Sequence, residues 1–152
     1  MMIIGSFQTE LSKVIALASF IPIVLGMGGN IATQSSTIVV RGIATGRINL
    51  DEPYRVIFKE MRVGLILGLV YGLFLGVVAF LGFAEPALLG VVVGCSIFFN
   101  MVMSATLGTT IPMVLKRFDI DAAIATGPFV TTSMDILGTL MYFSIAKFFL
   151  DF

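Results

Sequence analysis

Charged residues divide the chain into four long neutral stretches: Val14 to Val40, Val63 to Ala84, Pro86 to Leu115, and Ala122 to Ala146, the last interrupted once by Asp135. Charge does not sit unpaired in hydrocarbon, so these stretches are where a bilayer core can lie. At 1.5 Å of rise per residue each covers roughly 30 Å or more, the thickness of that core. The pattern predicts an all-α fold: a polytopic membrane helical bundle with four transmembrane helices over about 10–40, 60–84, 86–115 and 121–149, in one domain spanning 1–152.

Polar and small residues inside those spans are unevenly placed. In the first, Pro22 and the run Gly26-Met27-Gly28-Gly29-Asn30 weaken an otherwise apolar helix near mid-membrane. Carbonyls freed at that depth survive only against protein or a wet cavity. Thr33, Gln34, Ser35, Ser36 and Thr37 follow, so the second half of this span should face a pore or a partner, not lipid. In the second span Gly64, Gly68, Gly72 and Gly76 form a ladder at four-residue spacing, which lets a neighbouring helix approach closely. The 41–59 segment, with Asp51-Glu52-Pro53, reads as a loop with room for a short amphipathic helix.

Composition narrows the function classes. Of 152 residues 58% are hydrophobic and 12% charged, against about 25% charged in an average soluble domain, so a water-soluble globule is excluded. Nine Lys plus Arg balance nine Asp plus Glu, leaving no basic excess for a nucleic-acid partner. No His and a single cysteine, Cys95, remove imidazole and thiolate zinc sites, Cys pairs and His-based triads. Metal chemistry here must use oxygen ligands. Nothing resembles a phosphate-cradling loop or a nucleophile with its base, so no enzyme is predicted.

The connections differ in charge. Arg41, Arg47, Arg55, Lys59 and Arg62 lie between the first two spans, Lys116 and Arg117 between the last two, and the Gly82-Phe83-Ala84-Glu85-Pro86 turn has no basic residue. By the positive-inside rule the basic connections are cytoplasmic and the Glu85 turn is external. Both chain ends then fall outside, and Met1 to Gln8 is too short for a signal peptide and lacks its basic leader. The expectation is a five-helix unit of which this chain carries the second to fifth spans, Met1 to Phe7 being the tail of the first or its loop.

Asp135 is the strongest chemical signal, lying at the middle of the fourth span. A carboxylate at the bilayer centre costs about 2.5–3.5 kcal/mol on insertion scales and by default marks an ion or proton pathway. The competing reading is a structural carboxyl held by interhelical hydrogen bonds. Thr131, Thr132 and Ser133 precede it, Thr131 one turn back on the same face, which makes an oxygen-rich strip. Hard divalent cations suit such ligands, and Mg²⁺ keeps several waters while taking one or two carboxylates. Gly26 to Gln34 supplies carbonyls and amides without charge, suited to a hydrated ion or equally to a packing notch. Asn100 reads as an interhelical hydrogen-bonding residue and Cys95 as a small buried one. Glu60, Asp119 and Asp121 read as solvated or capping charges, Asp121 well placed at a helix N-terminus; a second cation site at a pore's inner mouth is the alternative.

The run Phe20 to Thr37, FIPIVLGMGGNIATQSST, followed by Val40-Arg41-Gly42-Ile43-Ala44-Thr45-Gly46, resembles the second transmembrane helix of the MgtE family of magnesium channels. Gly127-Pro128-Phe129-Val130-Thr131-Thr132 with Asp135 and Gly138 is similar to that family's fifth helix, and Lys59-Glu60-Met61-Arg62-Val63-Gly64 to the start of its third. The resemblance implies a homodimer of five-helix protomers, with the ion path along the two-fold axis and lined by the first and fourth spans of this chain. It implies a central site where Asp135 of both protomers reaches a largely hydrated Mg²⁺, near oxygens of Gly26, Asn30, Thr33 and Thr131. Inner-mouth sites would fall on Asp121 and Glu60. Ala122 departs from the family, where a proline commonly follows the aspartate matching Asp121. The CBS modules and cytoplasmic N-terminal domain usual in the family are not in this sequence, so gating by them is not predicted.

The expected function is passive uptake of Mg²⁺ by a homodimeric pore in the cell (inner) membrane, surrounded by lipid, with Mg²⁺ as both bound and transported ion. A double charge crossing 100 mV gains about 4.6 kcal/mol, so no ATP motif is needed. Two alternatives stay open. One is an ion-coupled carrier in which Asp135 binds a proton or Na⁺ in alternation with the divalent ion. The other is a non-transporting scaffold in which Asp135 and Asn100 only fasten helices together.

Overall fold

The computed structural model describes residues 15–82, 87–125 and 127–150. They form four long helices, α1 (Ile15–Ala44), α2 (Pro53–Gly82), α3 (Ala87–Arg117) and α4 (Pro128–Leu150), with a 3₁₀ turn over Ala122–Ala125 ahead of α4. Each helix contains a stretch long and apolar enough to cross a membrane, and no strand occurs among the described residues. The chain is thus the all-α membrane bundle its neutral stretches predict. The Met1 to Phe7 tail and the Glu85 turn lie outside the described residues.

Helix ends depart from the sequence expectation in two places. α1 continues to Ala44 and α2 already begins at Pro53, so the connection is the segment 45–52 and not 41–59. Proline suits a first helical turn, where its missing N–H would find no intrahelical acceptor. Gly46, at φ 69°, ends α1 in the left-handed conformation that glycine adopts without steric cost. The Gly42 carbonyl then accepts from the N–H groups of Arg47 and Ile48, and the Ile48 side chain covers Gly42 where a Cβ would collide. Arg55, Lys59 and Arg62 consequently sit on α2 itself, exposed, their stems able to reach the membrane surface.

At the other break, Gly127 at φ 71° separates the 3₁₀ turn from α4, which starts at Pro128 and not near 121. Asp121 Oδ1 accepts from the Ala123 N–H at 2.9 Å. It therefore caps the 3₁₀ turn and not a transmembrane helix. α1, by contrast, runs unbroken through Pro22 and the glycine run.

Three seams are the most extensive in the bundle, and α3 also meets α4 where Asn100 lies against Gly138. α2 and α3 run antiparallel with backbones touching: a Cβ on Gly68 would lie 2.9 Å from the Phe98 carbonyl, on Gly72 2.7 Å from that of Gly94, and on Gly76 2.9 Å from that of Gly90. The four-residue ladder acts as the spacing predicts. α1 runs parallel to α3, with Gly108 seated on Ala32 and Asn100 reaching Val24 and Gly28. α1 and α4 run antiparallel, joined by the Tyr142 hydroxyl donating to the Leu17 carbonyl at 2.9 Å. Leu17, Phe20, Val24, Ile97, Met101, Tyr142 and Phe143 fill the core between these helices. α2 turns Leu65, Leu69, Leu73, Phe74 and Val77 outward, an apolar face suited to lipid.

Candidate functional site

The register of α1 against α4 brings the two halves of the predicted site to one height. Leu17 meets Tyr142, Leu25 meets Gly138 and Gly29 meets Thr131, so Gly26 to Asn30 passes alongside Thr131 to Asp135. On α1, Gly26, Asn30, Gln34 and Thr37 are exposed, whereas Ser35 and Ser36 are buried. Steps of three and four residues place the exposed set on one stripe. On α4, Thr132 and Asp135 are exposed. Among the described residues the one ion pair is Arg55 with Glu52, so Asp135 has no cationic neighbour.

The other predicted ligands have different surroundings. Thr131 precedes Asp135 by one turn but is rotated toward α1, half-buried against Gly29, and its hydroxyl donates back to the Pro128 carbonyl at 3.1 Å. It supports the α1–α4 contact and does not extend Asp135's open face. Thr33 is half-buried at the edge of the exposed stripe, and its hydroxyl has no partner among the described residues. Asp121 is exposed beside the 3₁₀ turn, at the bundle end that carries Lys116 and Arg117, and is not brought to Asp135.

Glu60 departs most from its sequence reading. It is neither solvated nor at an open mouth: it is 6% exposed and accepts a hydrogen bond from Ser35 Oγ at 3.2 Å. Because α2 begins at Pro53, Glu60 lies well inside the helix, one turn before Gly64 on the packed face. The sequence did contain the signal, since Glu60 extends the Gly64, Gly68, Gly72, Gly76 ladder by one four-residue step. Asn100 makes the interhelical bond expected of it, its Nδ2 donating to the Val24 carbonyl. Its place between Gly28 and Gly138 was not legible from spacing within any one helix.

The chemistry available is that of one carboxylate beside neutral oxygens. Among the described residues no three His, Cys, Asp or Glu side chains gather as a metal cage. Such a sparse donor set does not replace a full hydration shell. It suits a cation that keeps its waters and meets the protein through them, as Mg²⁺ does.

Comparison with known proteins agrees with this chemistry. The family model MgtE, described as divalent cation transporter, matches residues 21–145. The chain is 40% identical over 148 residues to the magnesium transporter MgtE of Bacillus subtilis, covering 97% of this chain and 33% of that protein. It is 39% identical over 150 residues to the magnesium transporter MgtE of Thermus thermophilus, covering 98% of this chain and 33% of that protein. The chain spans about a third of the length of the curated relatives it matches. With four membrane-crossing helices and a family match over most of its length, this multi-pass membrane protein belongs to the MgtE family of divalent cation transporters.

Proposed function

We propose that this chain forms the ion-conducting membrane part of a magnesium transporter, passing Mg²⁺ passively into the cytoplasm through a pore built from two copies. The observation that carries this reading is the exposure, at one height in the bundle, of Gly26 and Asn30 on α1 and Asp135 on α4. In a single copy that strip would meet hydrocarbon, where a carboxylate is costly. A second copy about a two-fold axis covers it and adds a second Asp135 across the path. Two carboxylates with neutral amide and carbonyl oxygens match the needs of a hydrated divalent ion. The names of the relatives, magnesium transporters, support the same ion. Asp121, exposed at the basic end, serves as an inner station that raises local cation concentration.

The test compares the chain with Asp135→Asn, measuring Mg²⁺ binding in detergent and Mg²⁺ flux in vesicles under an imposed voltage. The expected result is saturable binding at one ion per two chains, lost in the variant, and flux that follows voltage without a proton or Na⁺ gradient. Undiminished binding by Asp135→Asn makes the carboxylate structural. Flux that requires a proton or Na⁺ gradient makes the protein a coupled carrier.

A further inference from the structure

We propose that Asn100 is a positioning residue that fixes the separation of α1 and α4 at the cation site, and so sets its preference for Mg²⁺ over Ca²⁺; this rests on the pore reading above. The Asn100 carboxamide fills a slot between the two site-bearing helices. A Cβ on Gly28 of α1 would lie 2.5 Å from its Nδ2, and a Cβ on Gly138 of α4 would lie 3.1 Å from its Oδ1. Both glycines are buried; Gly28 lies on the face of α1 opposite the exposed Gly26 and Asn30, and Gly138 lies one turn beyond the exposed Asp135, on the adjoining side of α4. The amide therefore touches both helices that carry the site, behind Gly26 and Asn30 on α1 and one turn from Asp135 on α4.

The bonding of Asn100 separates this role from simple packing. Nδ2 donates to the Val24 carbonyl, one turn ahead of Gly28, which fixes the register of α1 on α3. Oδ1 has no hydrogen-bond partner among the described residues, although Asn100 is 1% exposed. An apolar side chain would fill the same space and leave no acceptor unpaired. The bond to Val24 is what distinguishes asparagine here.

The consequence for the ion follows from hydration geometry. Mg²⁺ demands near-ideal octahedral coordination and releases water reluctantly, whereas Ca²⁺ takes six to eight oxygens in flexible arrangements. A site that reads the ion through its waters separates the two by its width, and a fixed width favours the rigid shell. Groups that hydrogen-bond to metal ligands change affinity by about 10–100-fold when replaced, and Asn100, which holds the helices and not a ligand, falls at the lower end of that range.

The test is calorimetric titration of the full chain in lipid nanodiscs with Mg²⁺ and with Ca²⁺, for the unaltered protein, Asp135→Asn, Asn100→Leu, Asn100→Ser and Gly72→Ala. Asn100→Leu is expected to weaken Mg²⁺ binding by about tenfold or more and to narrow the Mg²⁺/Ca²⁺ affinity ratio. Asn100→Ser, which is too short to reach Val24 and leaves the slot underfilled, is expected to do the same if the leucine variant does not fold. Gly72→Ala disturbs the α2–α3 seam away from the site and should keep the ratio. An unchanged ratio in the folded Asn100 variants, or an equal narrowing in Gly72→Ala, overturns the inference. Asp135→Asn binding like the unaltered protein is a different pattern: it overturns the pore reading, and this inference with it.

Discussion

Ser35 on α1 and Glu60 on α2 are joined by a hydrogen bond of 3.2 Å from Oγ to Oε2, with both side chains buried. A carboxylate within a membrane bundle is thereby satisfied by a neutral hydroxyl and not by a cation, although Lys59 and Arg62 are close in sequence. Removing the donor leaves the carboxylate uncompensated. Ser35→Ala should destabilise the chain by about 1.5–3 kcal/mol. Glu60→Gln keeps an acceptor and removes the buried charge, so its effect should be smaller. Denaturant unfolding in detergent micelles measures both, and equal destabilisation by the two would show that the charge itself is required.

Two glycines with opposite surroundings predict opposite outcomes. A Cβ at Gly72 would press on the Gly94 carbonyl at 2.7 Å, whereas nothing lies within 4 Å of one at Gly26. Gly72→Ala should destabilise by about 1–3 kcal/mol through overpacking. Gly26→Ala should be neutral or stabilise by up to about 1 kcal/mol, because alanine favours helix. In the flux assay the order should reverse, with Gly26→Ala the more impaired variant because its methyl group would enter the proposed ion path. Unimpaired flux in Gly26→Ala would remove Gly26 from the path.

Asp135 is exposed and has no ion pair among the described residues, so its carboxylate supports no contact within one copy. Asp135→Asn should leave the unfolding free energy of the single chain within about 0.5 kcal/mol, as for substitutions away from structural features. A larger loss, measured in micelles that keep the chain monomeric, would mean that the carboxylate holds helices together.

Asp121 combines a backbone role with a charge, and the two are separable. Its Oδ1 accepts from the Ala123 N–H. Asparagine caps about as well as aspartate, so Asp121→Asn should keep the 3₁₀ turn while Asp121→Ala loses about 0.5–2 kcal/mol. If Asp121 concentrates cations at the inner end, both variants should lower Mg²⁺ flux at low ion concentration. A loss confined to Asp121→Ala would assign it to capping alone.

The four spans were legible because a bilayer imposes a length and excludes charge, and the α2–α3 seam was legible because close approach demands glycine at every turn. The polar half of α1 was legible as a group but not residue by residue. Whether Asn30 or Ser35 faces outward depends on how α1 is rotated against α3 and α4, and neighbours far apart in the chain decide that. Thr131 shows the same limit: one turn from Asp135, it is turned inward by contact with Gly29. The start of α2 was missed because basic residues resemble a loop when only their charge is weighed. Arg55, Lys59 and Arg62 belong instead to the helix, their heads exposed.

The antiparallel seam between α2 and α3 joins consecutive helices, whereas Gly29 and Thr131 join the first described helix to the last. Contacts between chain neighbours close early and those between distant segments close late. As the nascent chain leaves the ribosome, α2 and α3 can clasp each other as soon as α3 is made, while the polar stripe of α1 still lacks its carboxylate-bearing partner. On the proposed reading no cation path is complete at any stage of synthesis before α4 arrives. The order of manufacture would then itself protect the cell from a leak through half-built protein.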